Sequence, residues 1–149
     1  MKKKYRKVEE WKLEGGHFLV TVKHHTVDLL PECGIFSGEF SGEGPHRWCI
    51  YAYIYPEHPY FVKFDGSEDM CQDAALALPL HCGPSFMRAH QRFCSVAICS
   101  YQVGCDYNHL YDEHYTNMAT QEEARSVFED AEVLFDWLEN YKGVERQKG

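Results

Sequence analysis

No apolar run in this chain of 149 residues approaches the roughly 20 that a membrane-crossing helix requires, so no helical membrane anchor is expected. The start, MKKKYRKVEEWKLE, is basic but continues into charged residues instead of an apolar stretch, which argues against a secretory signal. Excess positive charge is missing too: 15 Lys and Arg stand against 23 Asp and Glu, and the formal net charge of -8 disfavours direct nucleic-acid binding. It suits the opposite partner, because an acidic surface attracts a nucleic-acid-binding protein in place of its nucleic acid. None of the seven cysteines forms a C-x-x-C pair, and an odd number without an export signal points to free thiols in a reducing cytoplasm. Neither a P-loop nor a G-x-G-x-x-G is present. Ser85 lies in CGPSF and not in G-x-S-x-G, and Cys82 is only a sequence neighbour of His81, so no nucleophilic triad is spelled out.

What is present reads as one globular domain over 1–149, with a basic tail at 1–7 and a second tail at 144–149. Val8 to Glu14 is a short strand or a helical turn, and Gly15-Gly16 supplies positive φ for a hairpin into the alternating segment His17 to Thr26. Pro31 to Pro45 reads as a loop or weak hairpin. Trp48 to Tyr55 is the clearest strand, with Trp48, Ile50, Ala52 and Ile54 on one face and Cys49, Tyr51, Tyr53 and Tyr55 on the other. The tyrosine row reads as a second core face against a helix, with a partly open stacking surface as the alternative. Pro59 opens a short helix, Asp69 to Leu78 is helix-compatible, and Leu80 to Ser85 is a turn. Phe86–Gln91 and Cys94–Cys105 form an antiparallel pair in which the longer strand, apolar on both faces, is central. A helix over 120–141 follows, with a Thr120/Glu123 capping box, an apolar stripe from Ala124 to Tyr141 at the 3.6 period, and Gly143 as its C-cap. The fold class is therefore α+β: an antiparallel sheet of four to six strands with a C-terminal amphipathic helix packed on one face.

The segment from Ser95 to Thr116 organises the functional reading, since a buried strand ends in a dense polar cluster. Asp106, Tyr107, Asn108, His109, Asp112 and His114, joined by His81 and Ser85 from the preceding turn, are the candidate ligand-binding residues. The competing reading is a loop whose carboxylates cap turns. A metal reading would combine Cys105, His109 and His114 with His81 or Cys82, but C-x3-H-x4-H matches no standard zinc spacing, so neither a metal site nor a cofactor is expected. A separate candidate is the acidic helix face, where Glu122, Glu129, Glu132, Asp136 and Glu139 could meet a protein partner, although such a face is most often simply solvated.

The phrases YAYIYPEHP, LPLHCGPSF, QVGCDYNHLYDEHYT and VFEDAEVLFDWLE, spread from about Trp48 to Leu138, resemble a family of small bacteriophage and prophage accessory proteins. In the related phrase glycine often stands at the position of Cys82. The resemblance assigns no residue roles and implies a phage setting, in which small non-virion proteins act on host functions. The expectation is a non-enzymatic binding protein in the cytoplasm of the bacterial host, such as a counter-defence inhibitor, that occupies a host protein or sequesters a small ligand. The alternative is a small metal-dependent or acid/base enzyme using His81, Asp106, His109, Asp112 and His114. Homo-oligomerisation is left open.

Overall fold

The computed structural model describes residues 8–28, 43–93, 95–109 and 111–142. The two tails, most of the Pro31–Pro45 segment and Gly143 lie outside them. Five strands, β1 (Val8–Gly15), β2 (Phe18–Thr26), β3 (His46–Ile54), β4 (Phe86–Gln91) and β5 (Ile98–Asp106), form one antiparallel sheet in the order β1-β2-β3-β5-β4. A 3-10 turn at Phe61–Lys63 and a short helix α1 (Asp73–Leu76) carry the chain from β3 to the far edge, and α2 (Arg125–Glu139) closes the fold.

Alternation along the strands builds the core. Phe18, Val20 and Val22 of β2 and Trp48, Ile50, Ala52 and Ile54 of β3 are buried beneath Ala124, Val127, Ala131, Leu134 and Leu138 of the α2 segment, and Tyr101, Val103 and Cys105 of β5 continue the same buried face, with Tyr101 stacked on Phe64 at 4.4 Å. Each fully buried leucine there contributes about 1.5–3 kcal/mol relative to exposure. Trp11 extends this face to the edge strand, stacking on Trp48 at 5.8 Å and meeting Phe128 edge-on at 5.0 Å. The other internal strand, β5, lies between β3 and β4 as its two apolar faces suggest.

Several local expectations are refined. The β1–β2 turn is a two-residue loop as the glycines imply, but His17, at φ 65°, holds the left-handed position. Gly15 is needed for another reason: a Cβ there would fall on the Phe18 ring. The capping box forms one residue out of register. Thr120 Oγ1 accepts from Glu123 N at 3.1 Å, while Glu123 Oε1 accepts from Ala119 N at 2.7 Å, and a turn over 121–124 precedes the α-helix proper.

The tyrosine row is not core against a helix. Tyr51 and Tyr53 lie on the face opposite α2, half-buried against Phe86 at 5.2 Å and His90 at 6.5 Å. Only one face of this sheet receives the long helix, so the second aromatic face is covered by its own cross-strand neighbours. Gly104 opposite Tyr51 leaves room for that ring. Beneath it Thr21, 1% exposed, has a hydroxyl without a hydrogen-bond partner among the described residues. Thr21→Val keeps the branched shape and removes that hydroxyl, so it should raise stability by about 1 kcal/mol. The check is a higher urea midpoint at unchanged denaturant slope; a lower midpoint would mean that the hydroxyl is satisfied in solution.

His58 ties the segment after β3 to the end of α2. Its Nε2 donates to Leu138 O at 2.9 Å, and its Nδ1 accepts from Tyr60 N at 3.0 Å. Burial lowers its pKa from 6.5, against the smaller opposing effect of the Leu138 carbonyl. The unfolded chain therefore binds this proton first, so the stability His58 lends is complete above about 6.5 and is lost as pH falls below it. Thermal unfolding should show a fall in Tm from pH 7.5 to pH 5, at roughly these values, that is smaller in His58→Gln.

Candidate functional site

Pairing of β4 with β5 brings two distant polar segments side by side. Phe86 pairs with Gly104, and Ser85 N donates to Gly104 O at 2.8 Å, which sets the Leu80–Ser85 turn beside the end of β5. Ser85 Oγ then accepts from Asp106 N at 3.2 Å and lies 3.5 Å from Asp106 Oδ2. The turn itself is tight, with Gly83 N donating to Leu80 O at 3.0 Å. Cys82 and Gly83 hold φ of 59° and 83°. Glycine occupies that region freely, whereas a cysteine there is strained by about 1–2 kcal/mol.

Asp112 is the centre of the cluster. Its residue is 5% exposed, and its carboxylate accepts from His81 Nε2 at 3.0 and 2.9 Å, from His109 N at 3.0 Å and from His109 Nδ1 at 3.2 Å. Burial opposes its ionisation, but the His109 amide and the His81 ring together outweigh burial and hold the carboxyl below the usual range. Each imidazole thus spends one nitrogen on the same carboxylate. His81 Nδ1 and His109 Nε2 make no hydrogen bond among the described residues. Asp106 Oδ1 lies 3.6 Å from His109 Nδ1 and also accepts from Asn108 N at 3.2 Å.

Aromatic packing fixes the rings from below. Tyr107 is 1% exposed, stacks on His81 at 4.3 Å with a 15° interplanar angle, and meets Tyr115 at 4.8 Å. Its hydroxyl donates to Asp130 Oδ2 of α2 at 2.6 Å. Burial, with that hydrogen bond second, pushes the phenol pKa far up, so Tyr107 is a neutral donor.

The structure therefore brings together His81, Ser85, Asp106, Tyr107, His109 and Asp112. Two sequence candidates stand apart. His114 is exposed and packs on Tyr115 at 4.1 Å, because the 3-10 turn Glu113–Asn117 carries it past the cluster. Asn108 is exposed and takes part through its backbone amide. The combination of Cys105, His109 and His114 is not assembled: Cys105 faces the core, with its thiol pushed up to about 12 by burial. The cysteine that does lie with the histidines is Cys82, whose ligating atom is within 4.8 Å of those of His81 and His109. Sequence reasoning also missed Asp130. Its position, three residues after Val127 and four before Leu134, places it at the border of the apolar stripe and was the available signal.

The acidic helix face is as expected in exposure. Glu122, Glu129, Glu132, Asp136 and Glu139 all face solvent, and the Arg125–Glu129 pair at 3.8 Å is too exposed to contribute much.

No protein-family model, no curated protein and no solved structure matches this chain. The site's chemistry is therefore read from its own geometry.

Asp112→Ala should destabilise the protein by about 1–3 kcal/mol at neutral pH, since it removes a buried acceptor and leaves the half-buried His81 and His109 donors unpaired. The native carboxyl titrates below 3.8, so the stability it lends is present above that value and disappears as pH falls through the folded pKa. Urea unfolding at neutral pH and near pH 3 should show the gap between wild type and variant narrowing in acid. A constant gap would assign Asp112 a purely steric role.

Proposed function

We propose that the protein is a phage-encoded binding protein acting in the bacterial cytoplasm, as in counter-defence, by capturing a small ligand at the cluster of His81, Asp106, His109 and Asp112. The phage setting is supported by the phrases between Trp48 and Leu138, and the mode of action by the site. One observation carries the second point: a buried carboxylate orients two imidazoles and leaves one nitrogen of each uncommitted. Aligned rings with unused polar atoms at a half-exposed strand end are suited to a ligand that is itself polar. A turn needing only its caps satisfied would require neither ring stacked on a buried tyrosine nor two histidines on one carboxylate.

The acidic face of α2 supports host-protein docking as a second reading through the exposed carboxylates of Glu129, Glu132, Asp136 and Glu139, with Glu122 in the turn before it, which would steer a basic partner. Exposed helix faces of one sign are common on solvated proteins, so the first reading leads.

Native mass spectrometry of protein recovered from phage-infected cells separates the two. A small adduct on the wild type that is absent from His109→Ala is the expected result. A host-protein complex that survives His109→Ala but disappears when Glu129, Glu132 and Asp136 are reversed to Lys would replace ligand capture with docking on the helix.

A further inference from the structure

We infer that the ligand of this cluster is a divalent transition-metal ion of the zinc class, held by one ring nitrogen each of His81 and His109 and by the Cys82 thiolate. The inference rests on the reading that the strand-end cluster is the working site, and it names what that site takes. It reverses the expectation drawn from one-dimensional spacing, because Cys82 and His81 are adjacent in sequence while His109 arrives from the other side of a β-hairpin.

The donor atoms of the three residues lie within 4.8 Å of one another. In a tetrahedral zinc site, with bonds of about 2.0–2.3 Å, neighbouring donors are roughly 3.3–3.7 Å apart. Closing the difference needs about 1 Å of side-chain movement from groups that are exposed or half-buried, within the reach of a rotamer adjustment. Two imidazoles and a thiolate favour zinc, cobalt or copper; magnesium and calcium require several oxygen ligands.

Asp112 supplies the feature that an accidental trio lacks. Metal-bound histidines characteristically donate their second nitrogen to a carboxylate, which orients the ring and raises its basicity. Here one buried carboxylate does this for both rings, through His81 Nε2 and His109 Nδ1, which leaves His81 Nδ1 and His109 Nε2 as the nitrogens open to a metal. Charge also balances: the thiolate and the Asp112 carboxylate offset the two positive charges of the ion. On binding, the S–H bond of Cys82 breaks, its proton passes to solvent, and a sulfur–metal bond forms with no change of oxidation state. Three protein ligands leave a fourth position for water or a small anionic or thiol-bearing molecule. An ion also needs no deep cavity, and the surface depressions of about 530 Å³ along Gln121–Glu132, about 440 Å³ along Val133–Tyr141 and about 400 Å³ between Tyr55 and Arg92 involve none of these residues.

The test is a titration of the full-length, reduced, metal-stripped protein with cobalt(II), followed by displacement with zinc. One equivalent should develop tetrahedral visible bands and a thiolate-to-cobalt charge-transfer band, all lost on adding zinc. Cys82→Gly should lose the charge-transfer band while folding at least as well, because glycine takes the 59° φ without strain. Asp112→Asn should weaken cobalt binding about 10- to 100-fold. Cys71→Ser, which changes an exposed cysteine outside the cluster, should match the wild type. Circular dichroism reports the fold of each variant, and Cys82→Gly decides the matter alone should Asp112→Asn unfold. Absence of a saturable cobalt spectrum, or a charge-transfer band that persists in Cys82→Gly, would overturn the inference. If metal binding fails while cells still yield an adduct that His109→Ala abolishes, ligand capture stands and only its metal identity falls; failure of both removes the site reading itself.

Discussion

In the register between β3 and β5, Ile50 lies opposite Cys105, Ala52 opposite Val103 and Ile54 opposite Tyr101. A slip of one residue would turn Trp48, Ile50, Ala52 and Ile54 away from α2 and bring Cys49, Tyr51 and Tyr53 beneath it. The alternation of β3 commits it to this register, and Gly104 of β5, a strand buried on both faces, holds the pairing in place, since a side chain there would collide with the Tyr51 ring and approach the Ile50 carbonyl to 2.6 Å. The same register ends with Tyr107 N donating to Trp48 O at 3.0 Å, just past the last strand residue. The position of Tyr107, and of everything stacked upon it, is thereby a consequence of how the core is paired.

Tyr107 is the link between packing and chemistry. Its ring supports His81, its hydroxyl is held by Asp130, and Asp130 is held by the helix that covers the sheet. The cluster is therefore rigid on one side and half-exposed on the other, the condition under which polar groups can be poised for a ligand without reorganising. Asp112 completes it at an energetic cost, since a buried carboxylate is tolerated only where donors surround it. The strained cysteine in the neighbouring turn is a second local cost, and both fall at the same place.

Much of the fold was legible along the chain. Period-two segments identified β2 and β3 and their inward residues, and the 3.6-residue stripe identified the helix, because in both cases one face is buried and burial demands periodicity. The β4–β5 hairpin and the β1–β2 hairpin were also readable, since their turns are local, although β5 begins at Ile98 and not at Cys94 as its apolar residues suggest. What local signals misplaced were details that neighbours decide. His17 takes the left-handed position although two glycines precede it, and the tyrosine face is left to cross-strand packing because a single long helix can cover only one side of the sheet.

The site shows the same division. By itself the sequence determined that polar residues accumulate after β5, that Asp106, His109 and Asp112 belong together within one short loop, and that the helix presents carboxylates to solvent. All of these follow from residues near one another in the chain. The sequence also proposed His81 as a member, but only the tertiary structure decided how it joins, through Asp112, that Cys82 lies with it and His109, that His114 does not, and that Asp130 reaches Tyr107. Those contacts span 31 residues from His81 to Asp112 and 23 from Tyr107 to Asp130, and they exist only once strand pairing and helix docking have closed the intervening loops.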